Sequence, residues 1–353
     1  MKKITVIGGG ATGLAAAAHL TLKGNKVTLF DTGENIEKIM KCRKINFIES
    51  EITREVDINN CTNDPKIALE DCEIVIVAVI AQRHEEIVKV CSKYFSKNQI
   101  VLITPGNLGS LVFYNYLKNN DYKMPLLAEV ESNLYVCKKR DDITVELVLP
   151  IRPRYISSFP AIDTAKVIEG FQDIYTLYSA KNVLETTLNL PNIDSHVPGA
   201  ILNVGGIERG DFYFYRDGLT KSVLKFIEKL YEEKIMIMKK LDCEIRTKLD
   251  LLEKISDADN FPNLNPFREI KGPDDVYHRY ISEDTFVGMS IITSLGEMLG
   301  IKTPTAKALI YIASILNDCD YRLKGRTCEN LGLSNMTKTQ LNYYLETGRN
   351  KEL

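Results

Sequence analysis

Six residues near the N-terminus have the types and spacing of a phosphate-binding turn. The segment GGGATG, residues 8–13, fits the pattern G-x-G-x-x-G, follows an apolar run and opens a helix-forming segment. Gly8 permits the tight turn, Gly10 lets the backbone approach a pyrophosphate, and Gly13 allows close packing of helix and sheet. The helix N-terminus adds N–H donors and the positive end of a dipole. The predicted dinucleotide-binding residues are Gly8, Gly10, Ala11, Thr12 and Gly13.

An acidic residue completes this pattern. Asp31 ends the next apolar run, Lys26–Phe30, where a carboxylate can accept hydrogen bonds from the adenosine ribose and would repel a 2′-phosphate. The sequence therefore predicts NAD as the cofactor, with NADP as the alternative. Lys38, Lys41 and Arg43 lie nearby and would favour a phosphate, but we interpret them as a solvated helix face. FAD binding is the competing use of this motif. Many proteins that bind FAD, however, have a glutamate in place of this aspartate and long insertions in the sheet, which we do not find here.

The chain has four histidines that could transfer protons. His19 lies inside the first predicted helix, His84 follows a predicted strand near the expected cofactor edge, and His278 precedes an arginine. His196 lies in the segment NIDSHVPG at the expected junction of two domains, where substrate pockets often form. A lone histidine at such a position is more often a cap or turn residue.

The elements that must position these residues alternate between strand-like and helix-like segments. Predicted strands are Ile4–Ile7, Lys26–Phe30, Glu73–Val79, Ile100–Ile103, Met124–Val130 and Ile143–Leu149. Continuous β-branched runs separated by helices predict a parallel sheet buried on both faces. From about Ser195 onwards the pattern is helical, as in the amphipathic segment Ser222–Leu241. We therefore expect an α/β architecture: a doubly wound, mostly parallel Rossmann domain over 1–184 and an all-α substrate and catalytic domain over 185–353.

Composition excludes several classes of protein. The 353 residues are 44% hydrophobic and 26% charged, with a formal net charge of −2, which leaves no general basic field for nucleic acid. No run of eighteen apolar residues predicts a membrane span. The eight cysteines contain no CxxC pair and are expected to be reduced thiols. We expect a soluble, cytoplasmic protein without a metal site and without a nucleic-acid or membrane partner.

Four fragments in the second half resemble the opine dehydrogenase family, which includes octopine and nopaline dehydrogenases. The strongest, within residues 192–223, contains HVPG, LN, GIE, FYFY and GLTKSV in that order. The second is YHRYISED, residues 277–284. The third is TP at 303–304 ahead of ALI, and the fourth is GRT at 325–327 ahead of LGL. Fragments in this order are specific, and the resemblance covers nearly the whole chain.

This resemblance implies a reductive condensation. In the family, an L-amino acid and an α-keto acid form an imine, which NAD(P)H reduces to a secondary amine bearing two carboxylates. By matching motif, His196 is implied to be the general acid/base, Asp284 its carboxylate partner, and Arg279 the ligand of the keto-acid carboxylate. Imidazole suits these proton transfers and a guanidinium suits carboxylate recognition. If the pair works together, the two side chains should lie within hydrogen-bond distance. The structural alternatives are a helix-capping role for Asp284 and an ion pair for Arg279.

Two loops of the first domain also resemble the family. Asn107, in TPGN, could donate to a substrate carboxylate or hold the nicotinamide, and Glu129 is implied to bind substrate. Residues 128–138 depart from the usual family segment, because Val130 replaces a threonine and Asn133-Leu134 replace Leu-Pro. A hydroxyl that could contact the keto acid is therefore missing, and pyruvate is not implied.

Other functions share some of these features. A ketopantoate-reductase-like or glycerol-phosphate-dehydrogenase-like ketone reductase has the same two-domain plan and usually a catalytic lysine, for which Lys221 and Lys225 are candidates. A regulatory dinucleotide sensor would keep the fold but would not need an acid/base. The apolar segment Thr305–Leu316 is either part of the core or the surface of a homodimer.

Overall fold

The computed structural model describes residues 1–33, 36–257 and 259–350. Backbone contacts divide the chain into two units, which are Met1–Thr187 with Asn342–Leu353, and Leu188–Leu341. The predicted boundary near Leu184 lies three residues before Thr187.

The C-terminal residues differ from the prediction of one second domain over 185–353. They group with the first unit because Tyr344 packs on Phe159, with ring centroids 5.2 Å apart. In addition, the Tyr114 hydroxyl donates to the carbonyl oxygen of Gly348 at 3.2 Å. The local sequence pattern does not indicate that the C-terminal residues pack on the first unit.

The first unit is built on two sheets. Its strands are β1 (Lys3–Ile7), β2 (Lys26–Phe30), β3 (Lys44–Glu49), β4 (Ile52–Asp57), β5 (Asn60–Thr62), β6 (Ile74–Val77), β7 (Ile100–Ile103), β8 (Leu126–Val130), β9 (Cys137–Lys139), β10 (Thr144–Leu147), β11 (Arg154–Phe159) and β12 (Leu177–Ser179). The larger sheet has eight strands in the order β12-β11-β8-β7-β6-β1-β2-β5. Its neighbouring strands run parallel except β8 and β11. This arrangement confirms the predicted Rossmann-type sheet.

Helices cover both faces of the larger sheet. Those that begin in the first unit are α1 (Ala11–Leu22), α2 (Glu37–Cys42), α3 (Pro65–Leu69), α4 (His84–Cys91), α5 (Gly109–Asn119), α6 (Thr164–Phe171) and α7 (Val183–Leu188). One apolar cluster includes Ile76 of β6 and Leu102 of β7, and a second cluster includes Val77 of β6 and Val101 of β7. Side chains of the same strands therefore enter two separate cores, as a parallel sheet buried on both faces requires.

A second, four-stranded sheet was not predicted. Its order is β4-β3-β10-β9, with β10 parallel to β3 and the other neighbours antiparallel. The prediction that Ile143–Leu149 continues the large parallel sheet is therefore wrong, because Val145 pairs with Phe47 and with Lys139. The partner of a short strand depends on pairing between distant segments, which a local pattern does not specify.

The second unit is helical in its described residues, apart from an isolated bridge between Tyr213 and Lys271. The remaining helices are α8 (Pro191–Ile201), α9 (Val204–Glu208), α10 (Phe214–Asp217), α11 (Lys221–Lys240), α12 (Asp250–Ser256), α13 (Asn265–Arg268), α14 (Arg279–Asp284), α15 (Ser290–Leu299), α16 (Pro304–Leu316), α17 (Tyr321–Lys324) and α18 (Lys338–Thr347). A π-helical turn, Thr285–Met289, joins α14 to α15. Across the described residues, no helix is long and apolar enough to cross a membrane.

Candidate active site

The glycine-rich turn connects β1 to α1. Gly8 has a φ of +120°, and a Cβ atom there would lie 2.5 Å from the carbonyl oxygen of Ala78. Only glycine fits this backbone conformation at low cost. A Cβ atom on Gly13, in the first turn of α1, would collide with the carbonyl oxygen of Gly8, so this position also excludes a side chain.

The turn fits a dinucleotide pyrophosphate. Gly10 precedes α1 with no side-chain cap, so no side chain occupies the N–H donors at the helix start. A Cβ atom on Gly10 would meet no atom within 4 Å, which leaves open space at this position of the turn. The turn also lies between β1 and β6, where the strand order reverses and where doubly wound sheets bind their ligands. These features suit the predicted cofactor and would hold its phosphates by backbone N–H groups.

Asp31 is less open than its position in the sequence suggests. Its side chain is buried, and its Oδ2 atom accepts a hydrogen bond of 2.6 Å from the backbone N–H of Gly9. Its Oδ1 atom accepts from the N–H of Thr32 at 2.7 Å and from Nη1 of Arg83 at 3.1 Å. The negative charge that was expected to repel a 2′-phosphate therefore has a guanidinium beside it.

In the second unit, His196 and Asp284 form a buried pair. His196 lies on α8 and Asp284 at the end of α14, and the distance between Nδ1 and Oδ2 is 2.8 Å. The prediction that they lie within hydrogen-bond distance is confirmed. Because an ionised carboxylate only accepts, Nδ1 is the donor, and Nε2 has no hydrogen-bond partner among the described residues.

Burial sets the protonation of this pair. Loss of solvent lowers the pKa of His196, while the adjacent Asp284 raises it and the nearby Arg279 lowers it further. Burial is the largest of these effects, so the ring is neutral at neutral pH, with Nε2 able to take a proton. The carboxylate stabilises the imidazolium once a proton arrives.

Aromatic rings hold the imidazole in place. Tyr280 stacks on His196 with ring centroids 3.6 Å apart and an angle of 17° between the ring planes. Phe214 meets the same imidazole edge-on, with centroids 5.7 Å apart. A Cβ atom on Gly199 would lie 2.6 Å from the Phe214 ring, which explains the glycine of the HVPG segment. Neither ring was predicted as part of the site, although both lie inside the family-like fragments.

Arg279 begins α14 next to this pair. Its guanidinium carbon is 5.3 Å from the centroid of the Tyr280 ring. Among the described residues, this guanidinium has no direct hydrogen bond or ion pair; burial opposes its charge, while the nearby Tyr280, Glu283 and Asp284 raise its pKa. The alternative interpretation as an ion pair is therefore not supported within that part of the chain. An unpaired guanidinium beside a His–Asp pair can bind the carboxylate of a small molecule.

Known proteins share these motifs and this fold. Residues 179–317 match the helical-domain model of NAD/NADP octopine/nopaline dehydrogenases, and residues 4–111 match a ketopantoate reductase (PanE/ApbA) model. Opine dehydrogenase from Arthrobacter sp. (strain 1C) is 29% identical over 348 residues, which cover 95% of this chain and 96% of that protein.

Solved structures agree with this match. An octopine dehydrogenase with NADH and L-arginine superimposes with a TM-score of 0.72 at 16% identity, and the match covers all of both chains. Yersinopine dehydrogenase with bound NADP⁺ has a TM-score of 0.71 at 12% identity over 98% of each chain. The helical part of this chain therefore matches the octopine/nopaline dehydrogenase model, and the chain is similar to an opine dehydrogenase over nearly its whole length. It is an NAD(P)-dependent oxidoreductase of the opine dehydrogenase class, as the motifs predicted.

In this chain, Glu129 has hydrogen-bond donors from its own unit, and its contact with a substrate stays a prediction. Its side chain is fully buried at the end of β8. It accepts hydrogen bonds from the N–H groups of Leu108 and Ser110 at 3.2 and 3.1 Å, and from the Ser110 hydroxyl at 2.6 Å. The hydroxyls of Thr186 and Thr187 donate to the same carboxylate at 3.3 and 3.1 Å.

These donors turn the carboxylate inwards, onto the loop that contains Asn107. Burial raises the pKa of Glu129, although the Ser110 donors oppose the shift. Asn107 itself is buried after β7 with a φ of +53°. Glu129 therefore positions the Asn107 loop, and contact between Asn107 and a ligand stays a prediction.

The other three histidines make packing or capping contacts within the fold. His19 is 2.9 Å from the Tyr135 hydroxyl through Nδ1, and burial lowers its pKa to about 4. His84 begins α4 and meets Phe113 edge-on, with centroids 6.3 Å apart. His278 caps α14 by accepting from the N–H of Tyr280 at 3.3 Å. None of these three takes the place of His196.

The lysines proposed for the competing ketone reductase lie elsewhere. Lys221 and Lys225 are exposed on α11, where water solvates their ammonium groups. Among the described residues, the buried lysine is Lys234, whose Nζ atom is 2.5 Å from Asp194. It lies beside the buried Glu233 on a face of α11 whose other buried residues are apolar, and the sequence pattern did not indicate it.

Proposed function

We propose that this chain catalyses the reversible, NAD(P)H-dependent reductive condensation of an L-amino acid with an α-keto acid. The observation that carries the proposal is the buried His196–Asp284 hydrogen bond of 2.8 Å beside the guanidinium of Arg279, which makes no direct ion pair within the described part of the chain. A proton-transfer pair and a carboxylate-binding group in one unit are what the condensation requires. A dinucleotide sensor has no need of either.

His196 supplies the proton transfers. Its neutral Nε2 atom removes a proton from the ammonium group of the amino acid, and the free amine then attacks the ketone carbon. The resulting imidazolium, stabilised by Asp284, returns the proton to the hydroxyl that leaves as water when the imine forms. Bound NAD(P)H supplies the hydride that reduces the imine. Because the secondary amine formed by this reduction takes up a proton near neutral pH, each turnover consumes one proton and releases one water.

Arg279 positions the keto acid. A guanidinium fork binds both oxygens of a carboxylate, which fixes the ketone carbon relative to the imidazole. Because Val130 stands where the family usually has a threonine, we expect the keto-acid preference to differ from that of relatives with the hydroxyl. Yersinopine dehydrogenase binds NADP⁺, and for this chain we propose NADH as the preferred cofactor and NADPH as a weaker one.

The test is a cross of amino acids with pyruvate, glyoxylate and 2-oxoglutarate, followed by loss of NADH absorbance and mass spectrometry. We expect oxidation only when both substrates are present, with a product mass equal to their sum minus water plus two hydrogens. Oxidation with a keto acid alone, giving a hydroxy acid, would favour the ketone reductase. Binding of NADH without turnover across the whole panel would favour the sensor.

Two further expectations stay predictions of the same proposal. The cytoplasmic location is one. The homodimer is the other, for which Tyr311 and Ile315 are exposed apolar residues on α16. Light scattering on the purified protein would decide the oligomeric state.

A further inference from the structure

Four side chains form a hydrogen-bonded ring at the end of β2. Asp31 and Thr32 follow this strand directly, and Arg83 and Glu86 lie in the turn after β6 and at the start of α4. Nη1 of Arg83 donates to Asp31 at 3.1 Å, and its Nη2 donates to the Thr32 hydroxyl at 2.7 Å. We call these four side chains, Asp31, Thr32, Arg83 and Glu86, the Arg83 cluster.

Glu86 occupies the other side of the guanidinium. Nε and Nη2 of Arg83 donate to its two carboxylate oxygens at 3.1 and 3.0 Å, which is the two-pronged geometry of an arginine with an oxyanion. The Thr32 hydroxyl donates to the same carboxylate at 2.7 Å. Three donors therefore converge on one anionic group, and these hydrogen bonds lower the pKa of Glu86.

The position of the cluster relates it to the cofactor. Oδ2 of Asp31 accepts from the N–H of Gly9, within the phosphate-binding turn, at 2.6 Å. In a Rossmann domain, the end of the second strand faces the adenosine ribose, whose 2′-hydroxyl bears the phosphate in NADP. Arg83 and Glu86 remain partly exposed, with side-chain exposures of 28% and 47%, so a ligand can reach them.

We propose that Arg83 and Thr32 form a binding site for the 2′-phosphate of NADP(H) and that Glu86 fills this site in the free protein. NADPH must then displace an internal carboxylate before its phosphate can bind, whereas NADH leaves the carboxylate in place. The preference for NADH therefore depends on Glu86 in addition to Asp31. The inference rests on the proposed nicotinamide-dependent function, and it names the side chain that sets the cofactor preference.

The charges of the cluster support this role for Glu86. Asp31 and Glu86 contribute two negative charges to the cluster against one positive charge on Arg83. Replacing Glu86 with glutamine balances the remaining pair and releases the guanidinium, while the side chain keeps its length. Glu85 is a matched control, because it is adjacent on the same helix and pairs with Lys89 at 3.6 Å instead.

The experiment compares two nucleotides that differ only in the 2′-phosphate. Calorimetric titration with 5′-AMP and with adenosine 2′,5′-bisphosphate measures binding without turnover. In the unmodified protein, 5′-AMP should bind more tightly. Glu86→Gln should tighten binding of the bisphosphate at least about tenfold, because a unit charge at about 6 Å with an effective dielectric of about 40 is worth about a factor of ten for each charge on the phosphate. Its affinity for 5′-AMP should stay constant, and Glu85→Gln should change neither.

A second substitution locates the phosphate. Adding Arg83→Ala to Glu86→Gln should abolish the gain, since the guanidinium that binds the phosphate is then missing. The proposal is overturned if Glu86→Gln leaves bisphosphate binding unchanged, if Glu85→Gln reproduces the gain, or if the double variant keeps it. Failure of the unmodified protein to bind 5′-AMP overturns the cofactor site and this proposal together. The expected nucleotide results with no condensation in the substrate cross would refute only the proposed reaction.

Discussion

Replacing Asp284 with asparagine is expected to lower kcat about 100- to 1,000-fold while leaving the affinity for NADH nearly unchanged. The substitution keeps the shape of the side chain and removes the charge that stabilises a protonated His196. An amide can also accept or donate, so the ring is free to adopt the tautomer in which Nδ1 carries no proton. Binding of the cofactor should persist, because the glycine turn lies in the other unit.

The magnitude follows from the geometry of the pair. The joining atoms are 2.8 Å apart and both side chains are almost fully buried, with exposures of 3% and 5%. Taking the charge centres about 4 Å apart and an effective dielectric of about 20, the attraction in the protonated state is about 4 kcal/mol. Each 1.36 kcal/mol corresponds to about a tenfold change in rate, so the upper limit is about a thousandfold. Water that enters the altered site would reduce the effect towards a hundredfold.

The assay is steady-state NADH oxidation at saturating substrates, measured over a range of pH. Asp284 opposes the effect of burial and raises the pKa of His196, so its replacement lowers that pKa further. The neutral imidazole then persists to lower pH, and the acid limb of kcat/KM should move in that direction. His196→Ala should lose a similar factor in kcat, and the double variant should be little worse than either single variant.

Asp250→Asn is a suitable control, since Asp250 is an exposed aspartate of the same unit that pairs with Lys254 at 3.0 Å. It should leave kcat and the pH profile unchanged. Two results would refute the reasoning. Fully additive losses in the double variant would mean that His196 and Asp284 act separately. Full activity in His196→Ala would eliminate the acid/base role and return the ketone reductase to consideration.

Three further predictions concern other residues. Arg279→Lys keeps the charge but loses one of two parallel hydrogen bonds, so the KM for the keto acid should rise; unchanged kinetics would make Arg279 structural. Gly10→Ala should fold normally and bind NADH more weakly, because its Cβ atom meets only the space left for the cofactor. Gly13→Ala should instead lower the free energy of unfolding measured by calorimetry, because its Cβ atom collides with an oxygen of Gly8. Equal stability of the two variants would contradict this. Burial lowers the pKa of His19 from 6.5 to about 4, so protonation favours unfolding and stability is lost as pH falls from 6.5 towards 4. Urea unfolding should show about 2 kcal/mol less stability at pH 5 than at pH 8 from this residue, and His19→Gln should remove that part.

Much of the fold could be predicted because its signals are local. The glycine turn and the runs that became β1, β2, β6 and β7 depend on neighbouring residues, whose spacing already determines the backbone conformation. The second sheet could not be predicted in this way. Strand β4 is largely exposed, with Val56 its one buried residue, so its hydrophobic pattern is weak and its partner is set by long-range pairing.

For the site, motifs indicated residue types and the tertiary structure decided their use. The sequence by itself determined the dinucleotide turn and selected His196, Arg279 and Asp284, because family-like fragments keep these residues in order. It assigned Glu129 to substrate, whereas folding surrounds that carboxylate with internal donors.

Folding also paired Arg83 with Asp31 across fifty-two positions of sequence. A motif specifies which side chain is present, but the pKa, charge and accessibility of that side chain depend on neighbours supplied by distant segments. Only the packed structure brings those neighbours together.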